Sequence, residues 1–164
     1  MDRFFSRIQR NHGLEHATLH ILGQLHPNIP IAGHSDQKGF WIVGNVPAEM
    51  VLNAAQQAIS RLKNGESRLA IHPNCGTNLV TTGIFSGAAA WLALMGSGNR
   101  FRDRLERLPL AVVFATLAVL LSRPLGLMLQ EHLTTSGNPG NLELVGIRTL
   151  ERGGILTHRL VTRG

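Results

Sequence analysis

Two long runs without a charged residue constrain this chain more than any other feature. Leu79 to Ser97 reads LVTTGIFSGAAAWLALMGS, and Leu108 to Leu121 reads LPLAVVFATLAVLL. The second meets Ser122-Arg123-Pro124 and resumes as LGLMLQ through Gln130. A helix needs about 20 apolar residues to cross the hydrocarbon of a bilayer. The first run has that length. The second reaches it if Arg123 and Pro124 lie inside or near the span, and both are tolerated there, Arg by snorkelling. The expectation is a two-helix transmembrane or re-entrant hairpin, and the competing one is a pair of buried helices in a soluble domain. Gly83, Gly87, Ala88, Ala89 and Ala90 suit close helix packing in either setting, and would also let two copies associate. Neither run is N-terminal, so neither reads as a signal peptide.

Charge bears on location and partners. The formal net charge is +6, with charged residues only 16% of the chain. Arg100, Arg102, Arg104 and Arg107 lie between the runs, and Arg61, Lys63, Arg68 and Arg148 flank them. That balance leaves membrane orientation open. The arginines are dispersed and no nucleic-acid motif accompanies them, so anionic lipid headgroups are the expected partners and nucleic acid is not. One Cys excludes an internal disulfide.

The remaining segments read as a small α+β domain. Leu14, Ala17, Ile21 and Leu25 recur at helical spacing, with His12, His16 and His20 on the opposite face. Ile29–His34 and Phe40–Val46 read as a β-hairpin. Pro47 opens a helix over Ala48–Leu62, with Met50, Val51, Ala54, Ala58 and Leu62 on its apolar face, and Asn64-Gly65 ends it. Arg68–His72 reads as a third strand. Leu144–Glu151 and Ile155–Thr162 flank Gly153-Gly154 as a final β-hairpin, expected to pair with the earlier strands or dock at the membrane. The expected division is an α+β metal-site domain (1–76), a hydrophobic helical hairpin (77–130) and a loop with a β-hairpin tail (131–164).

The chemistry lies in two short patches. His12-Gly13-Leu14-Glu15-His16 has the pattern H-x-x-E-H, the reverse of the zincin order. Two His four apart on a helix project together and can hold one metal ion, and Glu15 is placed to serve as general base. The second patch is His72-Pro73-Asn74-Cys75-Gly76-Thr77-Asn78. Imidazole and thiolate are the usual zinc ligands, so His72 and Cys75 join His12 and His16 as candidate ligands. The bland alternatives are a packed His face and a tight turn with an inert Cys. His20 reads as an outer ligand or a packed residue. His132 and His158 fall in segments that read as exposed.

Taken in order, these patches resemble an uncharacterised bacterial and plastid membrane family of predicted metal-dependent enzymes. Its members carry H-G-A-E-H, then H-P-R-C-G-T and hydrophobic helices. Leu127 to Thr135, LMLQEHLTT, resembles that family's L-W-L-Q-R-L-T-T with one additional residue, and Pro139 and Leu142-Glu143 follow where it has Pro and a short extended tail. The likeness spans residues 12 to about 145. It implies metal-site roles for His12, Glu15, His16, His72 and Cys75, and a bacterial inner-membrane or thylakoid-type location. Ala17 stands where the family has Lys, and the segment Ile29–Ala70 is of its own type, which places the chain in a sister group.

The leading expectation is an integral-membrane zinc hydrolase, peptidase-like, acting on a peptide or lipid-linked substrate, with zinc or another divalent transition metal as cofactor. The alternatives are a non-catalytic membrane protein with a closed four-ligand structural zinc site, and a membrane assembly or interaction factor. An open coordination position favours catalysis and a filled one favours structure.

Overall fold

A computed structural model describes the backbone of residues 2–98 and 100–164, and side chains from Ser6 onward. The chain divides into two compact units, one of residues 1–72 and 131–164, the other of residues 73–130.

The first unit is α+β. Helix α1 (Asp2–Leu25) is followed by strands β1 (Ala32–Asp36) and β2 (Gly39–Val43), helix α2 (Ala48–Lys63) and a short 3-10 turn (Ser67–Ala70). The chain returns to it through a π-helical turn (Gln130–Thr134) and strands β3 (Glu143–Arg152) and β4 (Ile155–Arg163). The strands form one antiparallel sheet in the order β1-β2-β4-β3. The C-terminal hairpin therefore does pair with the N-terminal strands, through β2 and β4.

Helices α1 and α2 pack with the sheet through a shared apolar core. Leu14, Ala17, Ile21 and Leu22 of α1 meet Phe40, Ile42 and Leu160 of the sheet and Val51, Ala54, Ala55, Ala58 and Leu62 of α2. Three alanines on α2 leave room for close helix approach. Buried Asn11 fixes α1 against the sheet: its amide donates to the Asp36 carbonyl at 2.8 Å, and its Oδ1 accepts from the Thr162 hydroxyl at 2.7 Å. Both amide ends are satisfied, as burial requires.

Several expectations need correcting. Arg68–His72 is not a strand. Ser67–Ala70 makes a 3-10 turn and Ile71 is extended without joining the sheet. Met50 and Leu25 are exposed, because α2 and α1 turn those positions away from the core. His158 is fully buried, on the inner face of β4 in phase with Leu160. Its Nε2–H donates to the Val46 carbonyl at 2.8 Å, so Nδ1 accepts from the Thr149 hydroxyl at 2.9 Å.

Burial pushes the His158 imidazole below its ordinary value, and the Val46 carbonyl opposes this only in part. The folded state then resists a proton that the unfolded chain accepts. Its stabilising contribution is complete above about pH 6.5 and is lost as pH falls below that towards the depressed folded value. The protein should therefore melt at lower temperature as pH drops from about 7.5 to about 5, and His158→Gln should flatten the part of the slope due to this residue. An unchanged slope in the variant would show that His158 is not the group titrating.

The second unit is helical: α3 (Gly76–Leu94), a short α4 (Phe101–Glu106) and α5 (Leu108–Leu129). Polar contacts join α3 and α5 at intervals, Asn78 to Gln130 at 2.6 Å and Thr82 to Ser122 at 2.9 Å. Arg107 donates to the Met95 carbonyl at 2.9 Å, so the two helices run in opposite directions. Pro124 lies inside α5 and has no N–H for the carbonyl one turn back. Both helices are long and apolar enough to cross a membrane, and little of either is buried. Leu79, Ile84, Trp91, Leu120 and Leu121 are all more than 60% exposed.

Candidate metal centre

The His face of α1 is covered by backbone carbonyls. His12 Nδ1 lies 2.8 Å from the Thr134 carbonyl, and His16 Nδ1 lies 2.7 Å from the Ala70 carbonyl. A carbonyl only accepts, so each Nδ1 carries the proton and the neutral ring's lone pair sits on Nε2. Metal-ligating His is commonly held in this way, with its second nitrogen donating to a carbonyl that fixes tautomer and ring angle. One i, i+4 pair thus has two rings in the same tautomer. Their centroids are 4.4 Å apart, and ligand nitrogens of the two lie within 4.8 Å. Imidazoles sharing one metal at about 2.0–2.1 Å have ring centres roughly 5 Å apart, so His12 and His16 could hold an ion between them.

His72 joins this row. Its ring lies 5.6 Å from that of His16 and 4.7 Å from that of His20. Burial, and then the charge of His20 nearby, push the His72 imidazole below its ordinary value. It is therefore neutral at pH 7 and keeps the lone pair that a ligand needs. His20 is oriented the other way, with Nε2 donating to the Ile71 carbonyl at 2.8 Å. It packs on His72 and does not repeat the tautomer of His12 and His16.

Two glycines explain how closely the chain packs against α1 here. A Cβ at Gly13 would collide with the Ser136 carbonyl, so the second residue of the H-x-x-E-H pattern has room only for hydrogen. The loop after the π-turn seats there, and the Ser136 amide donates to the Gln9 carbonyl at 2.9 Å. The π-turn presents the two carbonyls that meet α1: Leu133 accepts from Gln9 Nε2 at 2.9 Å and Thr134 from His12. Gly33 on β1 has its Cα against the Glu15 carboxyl, and any side chain there would displace it. Glu15 is itself buried, at 3% exposure.

Cys75 belongs to the helical unit. It caps the N-terminus of α3, where its sulfur accepts from the Thr77 amide at 3.4 Å. It stands three residues after His72 in the chain. Within the first unit, then, His12, His16 and His72 come together, while Glu15 turns towards β1. Gly33 and the carbonyls of Ala70 and Thr134 were not anticipated. A glycine inside a strand pattern marks a close backbone approach and could have pointed to Gly33. The carbonyls leave no trace in residue type.

Residues 7–147 match a family model described as Domain of unknown function (DUF6391). An uncharacterised protein of Picosynechococcus sp. is 35% identical over 158 residues, covering 82% of this chain and 77% of that protein. No solved structure matches.

Proposed function

The chain belongs to the DUF6391 family, and from that premise we propose that it is an integral-membrane, metal-dependent hydrolase of the peptidase type. The observation that carries this reading is the paired tautomer of His12 and His16. A merely packed His face would not need both Nδ1 atoms tied to carbonyls in the same sense. His12 and His16 would hold a divalent metal, His72 of the same unit is a further donor, and Cys75 is a candidate by its residue type. Imidazole and thiolate favour zinc, with other late transition metals as substitutes. The sister-group departures at Ala17 and Ile29–Ala70 then bear on the substrate and leave the ligands intact.

The metal would supply Lewis acidity, making water ionisable near neutral pH. Glu15 would serve as the general base, taking a proton from the attacking water as the water oxygen bonds to the substrate carbonyl carbon. The same carboxyl would then deliver the proton to the leaving group as the scissile bond breaks. Water is consumed and no oxidant or reductant is required. The measurement that tests this reading is metal content and turnover of Glu15→Gln beside wild type. Glu15→Gln should keep its metal and lose about 10²–10⁴-fold in turnover. Full activity in that variant would overturn the hydrolytic role.

On this reading the enzyme lies in a membrane, with lipid covering the exposed apolar faces of α3 and α5. The membrane assignment has its own test. Leu117 lies mid-way along α5 and is exposed. Leu117→Arg should cost about 2.5–3.5 kcal/mol in insertion and lower the carbonate-resistant membrane fraction. If the variant gains a soluble fraction with native fold, α5 faces water instead.

A further inference from the structure

We propose that β1 is the docking edge for an extended polypeptide substrate, which adds to the sheet as a further strand beside Glu15. This deepens the hydrolase reading and rests on it. The sheet order leaves β1 and β3 as the two edges, and they differ. β3 carries Glu143, Arg148, Glu151 and Arg152, and its register slips between Leu144 and Gly146. Charges and irregular register are the ordinary guards against unwanted strand pairing. β1 reads Ala-Gly-His-Ser-Asp, with its first three residues exposed. Its one charged side chain, Asp36 at the turn end, is paired with Arg159 at 2.7 Å, and the strand has no Pro and no register shift.

The ladder shows which backbone groups that edge offers. Thr162 N donates to Lys38 O, and Gly44 N donates to Leu156 O. Even-numbered residues of β2 therefore bond to β4, and odd-numbered ones bond to β1. With His34 opposite Trp41 and Ala32 opposite Val43, the N–H and C=O groups of Gly33 and Ser35 point away from β2. No backbone group of the described residues outside the sheet bonds to them. Only another extended backbone matches that alternation of donor and acceptor, and strand addition is an established mode of peptide capture. The same Gly33 holds the Glu15 carboxyl against its Cα. The open edge and the proposed base thus share one residue, which places a captured strand beside the group that would act on it.

The test uses full-length, metal-loaded Glu15→Gln protein in lipid nanodiscs, with fluorescein-labelled β-casein as an unfolded polypeptide probe. Metal content and wild-type casein turnover are measured first, so failure of the hydrolase reading shows there and not in binding. Casein should bind and slow amide exchange across Ala32–Ser35. Adding Ser35→Pro, which deletes an outward N–H without touching a bond to β2, should weaken binding at least tenfold at unchanged metal content. Metal-loaded protein that fails to bind casein, or that binds equally with Ser35→Pro, overturns the proposal. So does exchange protection of β1 without probe in a dimeric sample, which would assign the edge to a second copy.

Discussion

His16→Ala protein should purify without its metal, while His20→Ala should keep it. The difference follows from the carbonyl bonds. His16 presents Nε2 beside the His12 ring because Ala70 holds its Nδ1. His20 has Nε2 bonded to the Ile71 carbonyl and leans on His72. A structural zinc site holds roughly 10–16 kcal/mol of binding free energy. Removing one ligand of a few should therefore cost at least about a hundredfold in affinity. His20→Ala should cost no more than about tenfold, through loosened packing of His72. Equal metal loss in the two variants would mean the row of four His acts as a loose cluster. Loss in His20→Ala alone would move the site one turn along α1.

The second large effect is expected at Gly33, far from His16 in sequence. Gly33→Val suits a strand by propensity, and Gly33 has no left-handed backbone to strain. Its cost falls on the end of the Glu15 side chain, the nearest atoms to any new Cβ. The fold and the metal should survive, while turnover of β-casein drops about 10²–10⁴-fold, the range for losing a general base. A double-mutant cycle separates this from a general disturbance. Once Glu15→Gln has removed the base, adding Gly33→Val should cost little more, since both act on one carboxyl. Additive losses would show that Gly33 matters for some other reason.

The parts of the fold set by local chemistry were legible in the sequence. Uncharged runs give α3 and α5, Pro47 and Asn64-Gly65 bracket α2, and Gly153-Gly154 turns the last hairpin. The errors arose where tertiary context decides. Ser67–Ala70 has strand-like residues but closes a 3-10 turn whose Ala70 and Ile71 carbonyls serve His16 and His20. His158 lies in a segment of exposed composition, yet it alternates in phase with Leu160 and is buried with it. The π-turn at Gln130–Thr134 has no sequence signature, yet its carbonyl sets the tautomer of His12. Side-chain donors could be named from the sequence, whereas the backbone groups that aim them appear only once the chain is folded.

The most direct measurement of the metal centre is elemental analysis and X-ray absorption on wild-type protein purified in detergent without added metal. A divalent transition metal near stoichiometric occupancy is expected, with nitrogen neighbours at about 2.0–2.1 Å, and His12→Ala and His16→Ala should each empty the site. Protein that holds no metal at any occupancy, or that keeps it in both variants, would contradict a centre built on His12 and His16.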